Sequence, residues 1–274
     1  MSTYRDERPS IASLLTTDIR FGRADLHVET NRGEGAADLE AILQRTEQRA
    51  ELDLIAIADR DRIDSSLDAR ERAVRDGLSF EVVPGMLVTS TDGPLLALWV
   101  EEAVPAGASA AHTIEAIHRL GGLAIVPHPF ARWRRSIGRA DLEALLSSDD
   151  PAIHPDAIQV ASGSARASSG AARALELNAK RYHLAEIGAS NAVFAERIAS
   201  AYTLFPGTLR PAVRAAELRV AIENGTARAG RGQRAPLRQI GWRRIAEQRG
   251  REVGFASRRS VPAWAERLAL GGSR

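Results

Sequence analysis

The sequence predicts an α/β fold, a distorted (β/α)7 TIM-like barrel with an Arg-rich C-terminal extension, and three observations predict it. Short apolar runs alternate with helix-length amphipathic segments from about residue 24 to residue 224, as parallel βα units require. Runs such as Asp53–Ala58 (DLIAIA) are apolar throughout, which suits strands covered on both faces. His27, Glu29, Asp59, Arg60, His128, Ser190 and Asn191 all fall where a run ends and a loop begins, the place where barrels of this kind gather their chemistry. With seven or so strands, a closed barrel is expected over an open sheet.

Residues 1–22 carry no periodic signal and are expected to lead into a body at 23–230, followed by a basic extension at 231–274. Ala24–Val28 reads as the first strand, with a Gly-containing turn at Asn31–Gly35. Asp38 is placed to cap a helix over Leu39–Ala50, whose Leu39, Ile42 and Leu43 share one face. After the second strand at 53–58, a helix over Leu67–Gly77 leads to a third strand at Phe80–Val83. Leu87–Ser90 and Leu95–Val100 flank Thr91-Asp92-Gly93-Pro94, turn chemistry that predicts a hairpin. A helix over Thr113–Leu120, capped by Thr113, ends at Gly121-Gly122 before the strand Leu123–Val126. Strands at Ala157–Val160 and Leu184–Ile187 bracket a helix from about Gly170 to Arg181. Ala201–Phe205 is the last strand, and Pro211–Asn224 the last helix of the body, stopped by Gly225.

At 274 residues the chain has room for one large domain, or one domain and an appendage. No apolar run approaches the roughly 18–20 residues of a membrane span, and the charged start MSTYRDERPS leads into no apolar signal core. A cytoplasmic protein with no membrane partner is expected. The absence of cysteine excludes disulfides, thiolate nucleophiles and Cys-based zinc sites. Lys180 is the only lysine, so a Schiff-base mechanism has one candidate, and its helix reads as amphipathic surface. Charge is divided unevenly: residues 210–274 hold 15 Arg against 5 Glu, leaving 22 basic and 30 acidic residues before them. That split describes an acidic body with a basic extension.

The strand ends carry a recurring pattern. The first reads Asp25-Leu26-His27-Val28-Glu29-Thr30, running on to Asn31-Arg32-Gly33-Glu34-Gly35; the second ends in Ala58-Asp59-Arg60. Gly85-Met86 and Gly93-Pro94 follow, then Ile114–Phe130 (IEAIHRLGGLAIVPHPF), Gly188–Val193 (GASNAV), Ala201–Gly207 and Leu218–Gly230. In order and spacing these segments resemble the PHP (polymerase and histidinol phosphatase) superfamily of metal-dependent phosphoesterases, over roughly residues 23–230. No single motif is intact. Glu29 and Arg60 stand where the family has histidines, and Glu34 where it has Asp. Met86 stands near where the family has a bridging Glu, which is missing here; Pro94 and Val193 stand where it has histidines, and Asn191 where it has Asp.

The resemblance implies a cleft of His and carboxylate ligands that holds two or three divalent metals. His27, Glu29 and His128 are the residues left to bind metal, as one Zn or Mn ion, with Asp59 or Glu34 orienting water; the alternative is no metal at all. Arg60, Arg132, Arg134, Arg135 and Asn191 are the candidates for holding an anionic or phosphorylated small molecule through forked contacts. In the metal-free alternative Arg60 takes the space of a lost cation and pairs with Glu29, Glu34 or Asp59.

The other candidates read as structure. His112 is expected at the surface, His118 at a helix end, His154 in a turn, and His183 before a strand without an evident partner. Ser162-Gly163-Ser164 and Ser168-Ser169-Gly170 lack the context of a nucleophile elbow or a phosphate-binding loop and read as loop. The extension, with Trp242-Arg243-Arg244, Arg249, Arg251, Arg258-Arg259 and Trp264, is expected to dock on the acidic body. Nucleic acid is its less favoured partner. Oligomeric state is left open.

Overall fold

The computed structural model describes residues 20–131, 136–164, 167–208, 210–248 and 250. The strands are β1 (Arg20–Val28), β2 (Leu54–Ile57), β3 (Glu81–Val83), β4 (Gly85–Thr89), β5 (Pro94–Leu98), β6 (Leu123–Val126), β7 (Ala157–Ser162), β8 (Ala185–Ala189), β9 (Ala201–Gly207) and β10 (Arg228–Arg231). The helices are α1 (Leu39–Arg49), α2 (Asp64–Arg75), α3 (Ala110–Arg119), α4 (Arg139–Leu146), α5 (Ser168–Leu177), α6 (Arg214–Glu223) and α7 (Leu237–Ile240). A π-helical turn, Asn178–Tyr182, extends α5.

The strands form two five-stranded sheets, in the orders β10-β9-β1-β2-β3 and β4-β5-β6-β7-β8, and not one closed ladder. Parallel pairing holds for β1–β2–β3 and for β6–β7–β8. The pairs β1–β9, β9–β10, β4–β5 and β5–β6 are antiparallel. Isolated parallel bridges at Val28–Ala192 and Arg60–Leu87 link the sheets. Thr203 adds a third link, accepting at Oγ1 from Gly188 N (3.2 Å) and donating to Gly188 O (2.9 Å). One apolar cluster draws on both sheets, with Leu26, Leu54 and Phe205 from the first packed with Leu87, Leu98 and Ile187 from the second.

Local chemistry accounts for several element ends. Asp38 caps α1 by accepting from Ala41 N at 2.8 Å. The cap of α3 is Ser109 and not Thr113, so His112 lies inside the helix. Thr113 is buried and its hydroxyl donates back to Ser109 O at 2.8 Å. β1 begins at Arg20, ahead of its apolar stretch, because Arg20 to Arg23 pair with Gly207 to Leu204 of β9. α4 starts where Asp141 accepts from Gly138 N at 3.3 Å, a cap formed within a segment that carries little other signal. β10 is an edge strand of sequence RAGR held by pairing to β9.

Candidate functional site

The C-terminal ends of β1, β2, β6, β7 and β8 bring the site together. Beyond β1, Glu29 N donates to Ala192 O (3.0 Å) and Ala192 N to His27 O (3.1 Å), which fixes the β1 end beside the loop after β8. The chain then turns back on Thr30, whose carbonyl accepts from Gly33 N (3.0 Å) and Gly35 N (2.9 Å). A Cβ at Gly35 would lie 2.1 Å from Glu29 O, so only glycine allows this turn, and the turn returns Glu34 towards β2.

At the end of β2, Arg60 Nε donates to Glu34 Oε1 at 2.6 Å; the two side chains are only 8% and 11% exposed. Its neighbour Asp59 is buried, and both its oxygens are taken by Thr30, one by the backbone N–H at 2.6 Å and the other by the hydroxyl. Burial pushes the Asp59 carboxyl above its ordinary value and the Glu29 charge adds to this, while the Thr30 hydrogen bonds oppose it. His27 Nε2 lies 3.3 Å from Glu29 Oε1, and both side chains are fully buried. The His128 ring is 6.1 Å from that of His27, centroid to centroid. Asp61, His128 and Asn191 adopt the left-handed region at φ 54°, 31° and 52°. Such conformations persist only where surrounding structure over-determines them.

Gln159 organises the far side of the site. Fully buried on β7, it accepts from His128 N at 2.7 Å. Its amide nitrogen faces Ala161 O and Ala189 O, each at 3.0 Å, and Asn191 Oδ1 at 2.6 Å. Asn191 Oδ1 also accepts from Ser162 Oγ at 3.0 Å, and Asn191 Nδ2 stands 2.9 Å from His27 Nδ1. Nothing in the motifs marks Gln159, and Ser162 reads as loop. The available signal was one carboxamide inside the apolar run AIQV, because a polar group buried on a strand requires partners. Asp25 is also fully buried. It accepts from Ser190 N and Ala199 N, both at 2.9 Å, and burial raises its carboxyl above the ordinary range.

The expected site residues therefore divide. His27, Glu29 and His128 share one buried place; Glu34 and Arg60 form an ion pair; Asp59 holds Thr30; Asn191 belongs to the Gln159 network. Arg132, Arg134 and Arg135 lie outside the described residues, as do Arg249, Arg251, Arg258, Arg259 and Trp264. Met86 is buried among apolar side chains with its sulfur 3.3 Å from Val104 N, and Val193 packs beside Phe194. Among the described residues, no three His, Asp or Glu side chains converge as a metal-binding group. Of the acidic side chains here, Glu34 is paired with the Arg60 guanidinium and Asp59 with Thr30, while His27 Nε2 is buried without a hydrogen-bond partner among the described residues.

The remaining histidines are structural. His118 at the end of α3 contacts Asp156 Oδ2 (2.9 Å) and Ala152 O (2.8 Å); His154 contacts Ser148 O at 2.9 Å; His183 is the left-handed cap after the π turn. Lys180 is exposed and pairs with Glu176 at 2.7 Å. Further along the chain, Arg244 pairs with Glu196, and Ile240 and Ile245 pack with Phe194, while Trp242 is 77% exposed.

No family model matches the chain. Over 127 residues it is 28% identical to the uncharacterized protein MJ1587 of Methanocaldococcus jannaschii, covering 42% of this chain and 72% of that protein. Among solved structures it is similar to a two-domain protein of Bacteroides vulgatus that contains a predicted PHP-like metal-dependent phosphoesterase. That match has TM-score 0.58 and 15% identity, over 77% of this chain and 65% of that one. It is also similar to PsfC of Pseudomonas syringae, with TM-score 0.58 and 15% identity, over 84% of this chain and 99% of that one. Likenesses at this identity concern the fold alone.

Proposed function

We propose that the chain is a PHP-type phosphoesterase homologue, a distorted (β/α)7 barrel whose metal cluster has given way to an internal ion pair. It then serves as a non-catalytic protein that binds an anionic ligand, a phosphate or carboxylate, at Arg60. The observation that carries this reading is the Arg60–Glu34 pair at 2.6 Å. Two or three clustered cations need carboxylates to bridge them, and here a permanent cation occupies one of the few remaining. At an effective dielectric of about 20, each unit charge of a metal placed ~4 Å from the guanidinium costs roughly 4 kcal/mol. Met86, Pro94 and Val193 supply no ligand for a hard cation.

Among the described residues, Arg60 makes its hydrogen bond through Nε alone. Its Nη1 and Nη2 remain to meet an anion as a planar fork. Arg132, Arg134 and Arg135, which follow His128-Pro129 in the sequence, are proposed to complete that ligand site.

A second reading keeps one Zn or Mn ion at His27, Glu29 and His128, with weak hydrolysis in which Asp59 or Glu34 orients water. The buried His27–Glu29 contact at 3.3 Å, with the His128 ring 6.1 Å from that of His27, favours it. Metal analysis of the purified protein, a phosphatase screen in Mn, Zn and Mg, and calorimetric titration with inorganic phosphate separate the two. The first reading expects no turnover, and phosphate binding that Arg60→Gln weakens at least about tenfold, the loss of a charge-assisted contact of roughly 1.5–3 kcal/mol. A bound metal with turnover abolished by His128→Ala would establish the second.

A further inference from the structure

We infer that Gln159 and Asn191 act as a relay of amide hydrogen bonds that holds His27 in its Nε2–H tautomer. The relay deepens the metal-free reading above, on which its importance rests, but its geometry stands apart from it.

The relay begins at groups whose roles are fixed. The backbone N–H of His128 only donates, so the Gln159 atom 2.7 Å away is the carbonyl oxygen. The carbonyls of Ala161 and Ala189 only accept, so the atom 3.0 Å from each is the amide nitrogen. The orientation of Gln159 is thus set from both ends. That nitrogen lies 2.6 Å from Asn191, where a second NH2 would place two donors in contact, so Asn191 presents its oxygen. The same oxygen receives the Ser162 hydroxyl at 3.0 Å. Asn191 therefore turns its NH2 to His27, and at 2.9 Å His27 Nδ1 must accept. A neutral imidazole that accepts at Nδ1 carries its proton at Nε2, and Nε2 is the atom 3.3 Å from Glu29 Oε1.

This order is the reverse of what a metal needs at Nε2. A metal-binding imidazole offers a lone pair from one nitrogen and donates its other N–H to a carboxylate, a carbonyl or water. Here the second partner is itself a donor. Placing a lone pair at Nε2 would set Nδ1–H against the Asn191 NH2. Rotating Asn191 would then set its NH2 against that of Gln159. An aspartate at position 191 would remove the conflict, because a carboxylate accepts from His27 Nδ1–H, from Gln159 and from Ser162 alike. Aspartate also tolerates the φ of 52° found there.

The test is long-range 1H–15N spectroscopy of the metal-free full chain labelled at histidine, with the His27 signals assigned by their loss in His27→Gln. The expected result is an unprotonated Nδ1 and protonated Nε2 in the wild type, and the opposite in Asn191→Asp. Zn titration should then show an affinity at least about tenfold higher for Asn191→Asp, within the range by which partners of a ligating histidine alter metal binding. A protonated Nδ1 in the wild type overturns the relay, as does a tautomer or a Zn affinity unchanged by Asn191→Asp. If the wild type turns over phosphoesters with metal yet shows Nε2–H when metal-free, the relay stands and the metal-free function falls. If the wild type is inactive and metal-free but protonated at Nδ1, the function stands and the relay falls.

Discussion

Asp25 sits fully buried beneath the site, with two backbone N–H groups, those of Ser190 and Ala199, pointed at its two oxygens. Burial raises its carboxyl above the ordinary value, so the linkage runs opposite to that of a salt-bridged aspartate. Its contribution to stability is fully present below the unfolded value of about 3.9 and is lost as pH rises through the higher folded value. Replacing it with asparagine removes that dependence but offers one acceptor where two are needed. Asp25→Asn is expected to destabilise the protein at neutral pH by about 1–3 kcal/mol, the cost of one buried unsatisfied N–H. Urea unfolding measures this, and unchanged stability would mean that Ala199 N finds another partner. At this scale much of the site was legible in the sequence. Single positions in single motifs, such as Glu34 and Arg60, already carried the charges that pair in the structure. Gln159 was not legible, because its role comes from contacts with residues about 30 positions away on either side of it, His128 and Asn191.

Among elements, the join between α3 and the entry to β7 depends on a histidine. His118 lies in the last turn of α3 and contacts both Asp156 and Ala152 O. Asp156 Oδ2 also accepts from Ala124 N at 2.7 Å, so one carboxylate ties α3, β6 and β7 together. The Asp156 hydrogen bond raises the His118 pKa, with the partner's charge and Ala152 O adding to it and partial burial opposing. A raised folded pKa means the contribution is fully present below the unfolded value of about 6.5 and is lost as pH rises through the folded one. The urea midpoint should fall between pH 6 and pH 8 in the wild type, more than it does in His118→Gln; equal falls would show the pair to be uncoupled from folding. The sequence marked this residue as helix-terminal, but its partner is 38 residues away. The same limit explains the missed elements: β10 exists because β9 pairs with it, and nothing in RAGR favours a strand.

For the whole molecule, the question is whether two sheets make one cooperative body. The alternation of strands and helices made the α/β class and the parallel runs legible. The sequence did not reveal that β9 returns antiparallel to β1, since pairing direction depends on where the chain re-enters and not on composition. Two separate ladders linked by isolated bridges could in principle open one at a time. The core argues against it. Phe205 on β9 is fully buried in the cluster that also takes in Leu87 and Leu98 from β4 and β5 and Ile187 from β8, so neither sheet can leave without exposing the apolar face of the other. Phe205→Ala is expected to cost about 3–5 kcal/mol, lost apolar transfer plus the cavity left behind. If the core is shared, near-UV and far-UV signals should move to lower denaturant together, in a single transition whose slope is unchanged. Two resolved transitions, with only one shifted by the substitution, would instead show that the sheets unfold as separate units.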